Sequence, residues 1–267
     1  MIKAAVLGSP ISHSLSPLLH NTAYAQLGLS ASYEAIEVKA HSLAQFMDER
    51  DATWTGFSLT MPLKEEVIAY AMHVDDLALR INSANTLYKK AGEWHATSTD
   101  VIGFSKSLEM HKVAIKGHVV ILGAGATARA AAAACDSSQT QITVINRSLA
   151  RVQAMSDAVI ESELSFLDWG DLSVLDDADS VISTAPAGVT DSIDLPAKTS
   201  APYFEALYKP WPTPASVKWA SGGGSVIDGL DLLIHQAIAQ IAIFSGADFD
   251  FALMYSKLRE VGLAALK

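Results

Sequence analysis

Apolar positions along this chain switch repeatedly between the short runs of strands and the three-and-four spacing of helices. Residues 3–7 form an apolar run that ends in Gly-Ser-Pro, and residues 17–27 carry helical spacing at Leu18, Leu19, Thr22, Ala23 and Gln26. Residues 32–38 alternate like a second strand, 41–49 read as a helix, and 56–59 as a third strand leading into Thr60-Met61-Pro62. Strands and helices in alternation predict parallel pairing with helices on the sheet faces. Two brief strands, 84–88 and 93–96, flank a turn at Ala91-Gly92, and a helix is expected from Thr99-Asp100 through Met110.

A second unit opens at Lys116-Gly117 with a strand over 118–122, a glycine-rich turn and an alanine-rich helix over 126–135. Further strands at 142–145, 180–184 and 226–228 alternate with helical spans, as in a doubly wound sheet. Residues 196–214 hold Pro196, Pro202, Pro210, Pro212 and Pro214 and read as extended or looped, with one strand within 201–208. From 231 to 267 the pattern is almost wholly helical. The predicted fold class is α/β in two domains, a size that suits 267 residues.

Composition narrows the function classes. Hydrophobic residues are 50% and charged residues 18%, an ordinary globular balance. Apolar runs such as 119–126 and 130–135 fall far short of the roughly 18 residues that cross a membrane, so no membrane partner is expected. The first residues do not read as a signal peptide, and a cytoplasmic protein is expected. A net charge of -10 argues against nucleic acid as a partner. Cys135 has no second cysteine to pair with and reads as a buried structural thiol. His13 and His20 lack ligand spacing to any other His or Cys, so no metal site is expected.

Three clusters carry candidate chemistry. Gly123-Ala124-Gly125-Ala126-Thr127-Ala128 follows a strand and opens a helix. The first glycine permits the tight turn, the second admits a pyrophosphate, and Ala128 allows close helix packing. An acidic residue that would bind the ribose 2′-OH of NAD is expected about 20 positions on. That place holds Asn146-Arg147-Ser148, with Arg151 a helical turn later, and a cationic pair there suits the 2′-phosphate of NADP. The second cluster, Ser12-His13-Ser14-Leu15-Ser16-Pro17, offers either a hydroxyl clamp for a carboxylate or simple N-capping by Ser16 with Pro17 at the first helical position. The third, Ser58-Leu59-Thr60-Met61-Pro62-Leu63-Lys64, sets a lysine in a first helical turn, where the helix dipole disfavours it. Asp100 stands at another helix start, as an N-cap or a functional carboxylate.

Taken together, GSPISHSLSPLLHN, SLTMPLK, SANTL, TSTD, GAGATARA, NRS, EALYKPWPTP and DGLDLLIHQ resemble the shikimate dehydrogenase family over nearly the whole chain. The resemblance implies NADP-dependent, reversible reduction of 3-dehydroshikimate to shikimate in aromatic amino-acid (chorismate) biosynthesis. It implies Lys64 and Asp100 as the catalytic pair, and Ser14 and Ser16 on the substrate carboxylate with Tyr208 nearby. Thr60, Asn85 and Gln236 would hold ring hydroxyls. Gly123, Gly125, Ala126, Thr127, Ala128, Asn146, Arg147, Ser148, Arg151, Thr184 and Gly229 are expected around the cofactor. The implied architecture is a mixed or parallel substrate domain over 1–100, completed by C-terminal helices 237–267, and a Rossmann-like NADP domain over 101–236, in a monomer or homodimer.

The family's usual Asn is replaced by Ser58 and Ser98, its usual Asp by Glu205, and Ser183-Thr184-Ala185-Pro186 stands where an Asn-containing strand end is common. These departures bear on affinity and substrate preference. An NAD-linked quinate/shikimate dehydrogenase fits the same motifs apart from Arg147 and Arg151. A sensor that binds NADP and a cyclitol acid without turnover would not need Lys64 and Asp100. A methylene-tetrahydrofolate dehydrogenase would have no use for the serine clamp.

Overall fold

The computed structural model describes residues 1–267 as two compact units, Met1–Thr99 with Leu233–Lys267, and Asp100–Leu232. In the first, β1 (Ile2–Gly8), α1 (Ser16–Gln26), β2 (Ala31–Glu37), α2 (Leu43–Asp48), β3 (Gly56–Leu59) and α3 (Leu63–Tyr70) alternate as the apolar rhythm predicts. They are followed by β4 (His73–Val74), α4 (Asp76–Arg80), β5 (Thr86–Lys90) and β6 (Glu93–Thr97). The sheet order is β2-β1-β3-β5-β6-β4. β1 pairs in parallel with β2 and β3, whereas β5 runs antiparallel to both β3 and β6, so the sheet is mixed. Leu7, Phe57, Leu59, Leu63, Val67 and Leu87 form the core under it.

The second unit runs through α5 (Asp100–Met110), β7 (Gly117–Leu122), α6 (Ala126–Cys135), β8 (Thr140–Asn146), α7 (Val152–Ala158) and β9 (Glu163–Asp168). It continues with β10 (Ser180–Ser183), β11 (Tyr203–Glu205), α8 (Pro214–Ser221) and β12 (Val226–Ile227). The order β9-β8-β7-β10-β11-β12 is parallel throughout, the doubly wound Rossmann-like arrangement. The alanines of α6 let that helix lie close on the sheet: Ala128, Ala130, Ala131 and Ala132 are fully buried. Cys135 is buried with them, and burial pushes its thiol up to about 12, which leaves it unreactive.

The remaining helices, α9 (Gly229–Ser245) and α10 (Phe251–Ala265), divide the tail that reads as one helical stretch. Gly246, at φ +63°, terminates α9, and the Asp250 carboxylate caps α10 by accepting the Leu253 N–H at 2.9 Å. Other departures from the sequence pattern are small elements. β4 and α4 fall in a stretch too short for periodicity, β9 falls in a span read as helical, and α8 starts at the last residue of the proline-rich segment. Ser16 does not cap α1. The helix begins at Ser16 itself, and the Ser16 N–H donates to Ser14 Oγ at 3.2 Å. No helix of the protein is long and apolar enough to cross a membrane.

Candidate active site

Two sets of residues stand at strand ends, one in each unit. In the first sheet β1 lies between β2 and β3, so the connections leaving β1 and β3 diverge from adjacent strand ends, a topological switch point. Ser14 and Ser16 lie on the connection from β1 into α1, and Thr60 and Lys64 on that from β3 into α3. The two connections are tied together: the Thr60 N–H donates to the Leu7 carbonyl at 2.9 Å and the Ser9 N–H to the Met61 carbonyl at 3.0 Å. Gly8 is needed at this crossing, because a Cβ there would stand 2.4 Å from the Thr60 methyl. Lys64 is half-buried in the first turn of α3, and its carbonyl accepts the Ala84 N–H at 2.8 Å.

Since β5 and β6 reverse direction in turn, the residue before β5 and those after β6 reach the same end of the sheet. Asn85 is the hub there. Its Nδ2 donates to Thr99 Oγ1 at 3.0 Å and to Gln236 Oε1 at 3.2 Å, while its Oδ1 accepts the Thr99 N–H at 2.8 Å. Gln236 comes from α9, and Gln240, one turn on, shares its face. Gln240 Nε2 donates to the Asn85 carbonyl and to Thr86 Oγ1, both at 2.9 Å. Its Oε1 accepts the Ser58 hydroxyl at 2.6 Å, and Ser58 in turn accepts the Tyr33 hydroxyl at 2.5 Å. The sequence reading missed Tyr33, Thr99 and Gln240. The recurrence of polar residues one turn apart on the otherwise apolar α9 was the one available signal, and Ser58 belongs to the same buried network. Asp100, the first residue of α5, is buried three residues past β6.

The second set surrounds the switch point between β7 and β10. Gly123 adopts φ +110°, a conformation that favours glycine, and a Cβ on it would meet Thr184 Oγ1 at 2.7 Å. Thr184 is fixed opposite, its N–H and hydroxyl donating to the Leu122 carbonyl at 2.9 and 3.0 Å. Gly125 precedes α6 in extended conformation with no side-chain cap, and open space surrounds the position its Cβ would take. The first N–H groups of α6 therefore face an accessible, positively polarised end suited to a phosphate. Ala126 and Thr127 form its first turn, and buried Ala128 packs inward.

At the end of β8, Asn146 Nδ2 donates to the Ser148 carbonyl at 2.7 Å, which shapes the turn. Ser148 Oγ accepts the Ala150 N–H at 3.3 Å, and Arg147, Ser148 and Arg151 are exposed. The Arg147 guanidinium lies over the Trp169 ring, 6.0 Å from its centroid. These residues fit a dinucleotide with a 2′-phosphate: a bare helix end, a glycine backbone open to approach, and two exposed guanidinium groups on the turn that leaves β8, residues 146–151, which itself carries no carboxylate.

Tyr208 follows β11, half-buried. Gly229 packs on the same connection: its N–H donates to the Leu207 carbonyl at 3.2 Å, and a Cβ there would stand 2.2 Å from the Ala206 carbonyl oxygen. Glu205, at the end of β11, is fully buried and accepts hydrogen bonds from Tyr203 OH at 3.2 Å, the Leu207 N–H at 3.4 Å and Thr213 Oγ1 at 3.4 Å. Burial pushes its carboxyl up to about 7 even though these donors favour the anion. It anchors both ends of the segment that carries Tyr208.

The model of the shikimate dehydrogenase substrate binding domain matches residues 6–87, and that of shikimate / quinate 5-dehydrogenase matches residues 107–190. An NADP(+) shikimate dehydrogenase of Ignicoccus hospitalis is 32% identical over 260 residues, 95% of this chain and 97% of that protein. The crystal structure of Mycobacterium tuberculosis shikimate dehydrogenase superposes with a TM-score of 0.85 at 35% identity, covering 96% of this chain and 99% of that one. The Thermus thermophilus shikimate 5-dehydrogenase, in complex with NADP(H) and shikimate, gives 0.86 at 29% identity, covering 97% and 99%.

Proposed function

The chain belongs to the shikimate dehydrogenase family, and on that premise we propose that it reduces the ring ketone of 3-dehydroshikimate to shikimate, reversibly and with NADPH. The observation that carries this reading is the gathering of Ser14, Ser16, Thr60, Lys64 and Asn85 at one end of the first sheet, with Asn85 already fixed by Thr99 and Gln236. A small polyhydroxylated acid needs such a set: hydroxyls for a carboxylate, and amides for ring hydroxyls.

Bound NADPH supplies the hydride. Lys64 brings its ammonium to the carbonyl oxygen, where a positive charge and a proton are both required as the oxygen becomes an alkoxide. Asp100 accepts a hydrogen bond from a substrate hydroxyl and orients the ring. Ser14 and Ser16 donate to the carboxylate from the mouth of α1, where the helix end favours an anion. Tyr208 completes the carboxylate contacts, and Thr60, Asn85 and Gln236 hold the hydroxyls. Gly123, Gly125 and the first turn of α6 take the pyrophosphate, Arg147 and Arg151 the 2′-phosphate. We assign the enzyme to the cytoplasm, as a monomer or homodimer.

The test is the Lys64→Ala variant. Its kcat should fall about 10²–10⁴-fold, the usual contribution of a positioned acid and an electrostatic stabiliser, while NADP affinity, read from quenching of protein fluorescence, stays at the wild-type value. Undiminished turnover would remove Lys64 from the chemistry.

A further inference from the structure

At the outer edge of the first sheet, β4 pairs in parallel with β6 in a register that sets His73 directly beside His95. Side chains two apart on a strand share a face, so Glu93 stands on the same face as His95, and lateral pairing adds His73 to it. The three side chains meet there. His73 Nε2 and Glu93 Oε2 are 2.8 Å apart, and the two imidazoles stack with centroids at 4.4 Å and an interplanar angle of 22°. One ligand atom from each of the three lies within 4.8 Å of the others. Lys90 is the cross-strand partner of Glu93 in the hairpin, yet the carboxylate turns to His73. The Tyr88 ring closes one side, tilted against His95 at 5.5 Å.

We propose that His73, Glu93 and His95 form a surface site for a divalent first-row transition cation of the zinc class. Two imidazole nitrogens and one carboxylate oxygen are the donors such ions prefer, and magnesium or calcium would want oxygen alone. Ligand bonds of about 2.0–2.2 Å require the three donor atoms to draw in around the ion. The His73 and Glu93 side chains are 49% and 56% exposed, so rotation brings them in and water completes the coordination. None of the three belongs to the substrate or cofactor sets, and Glu93 is at the end of β6 away from Thr99. The ion would clip the two-residue edge strand β4 to its neighbour. Its role is to hold that edge, with no part in hydride transfer.

The experiment is calorimetric titration of zinc chloride into the chelator-treated, full-length protein. One equivalent should bind to the wild type. Loss of even an outer-shell partner costs metal affinity about 10–100-fold, so His73→Ala and His95→Ala should each weaken binding at least about tenfold, with Glu93→Gln also weaker. Magnesium chloride should give no signal. Zinc should raise the melting temperature of the wild type and leave that of the histidine variants unmoved. Wild-type turnover by these variants in zinc-free buffer certifies their fold. Absence of zinc binding in the wild type, or binding undiminished in both histidine variants, overturns the proposal.

Discussion

In the proposed function, the exposed Arg147 at the end of β8 is the single charge assigned to choosing the dinucleotide. A carboxylate in place of Asn146 would accept a ribose 2′-OH and repel a 2′-phosphate; the Asn146 amide instead donates to the Ser148 carbonyl, and the Arg147 guanidinium is exposed. A charge-assisted hydrogen bond is worth about 1.5–3 kcal/mol, so Arg147→Ala should raise the KM for NADP+ roughly tenfold or more and leave that for NAD+ little changed. Steady-state kinetics with both cofactors checks this, and an equal effect on the two would show that Arg147 does not read the phosphate. Glu205 makes a prediction of another kind. Its carboxyl is raised from the ordinary 4.5 to about 7, so between those values the folded state binds more protons than the unfolded one. Its contribution is whole below about pH 4.5 and is lost as pH rises through 7, on the order of 3 kcal/mol. Urea unfolding from pH 5 to 8 should show this decline in the wild type and a flatter course in Glu205→Gln; parallel curves would contradict it.

At the scale of elements, Asn85 is held by a buried polar chain that runs from β2 through β3 to α9, through Tyr33, Ser58 and Gln240. Removing Gln240 would leave the buried Ser58 hydroxyl without its acceptor, at about 1–3 kcal/mol, while the Thr86 hydroxyl keeps Asn85 Oδ1 and the Asn85 carbonyl keeps the Leu59 N–H. Gln240→Leu should therefore lower unfolding free energy by about 1–3 kcal/mol and raise the KM for shikimate with the KM for NADP+ unmoved. A variant with wild-type stability and KM would show the chain to be dispensable. The contrast with what the sequence discloses is physical. Gly123, Gly125 and Lys64 stand out because each sits in a strand-turn-helix pattern only a few residues long, whereas Asn85 is marked only by the family resemblance. The α/β alternation is legible because every core strand and helix carries its own apolar period. Gln240 meets Asn85 across a separation of 155 residues, and nothing local marks such a pairing. β4 is two residues long, and edge strand β9 is only half-buried, so neither displays the apolar run that buried strands do. His73 and His95 become neighbours only through the register of β4 on β6.

For the molecule as a whole, two units divide the work. A mixed sheet presents hydroxyls, an amide and a lysine at one end, and a parallel sheet presents a glycine turn, an uncapped helix and two arginines at its switch point. On the proposed function each set supplies what the other lacks, which makes turnover the property that tests them together. The most direct measurement is the appearance of reduced nicotinamide when the wild-type protein is given shikimate or quinate with NADP+ or NAD+. Strong turnover with shikimate and NADP+, and far weaker turnover in the other three combinations, is the expected result. Preference for quinate or for NAD+ would contradict the specificity assigned to these residues, and silence in all four would contradict catalysis itself.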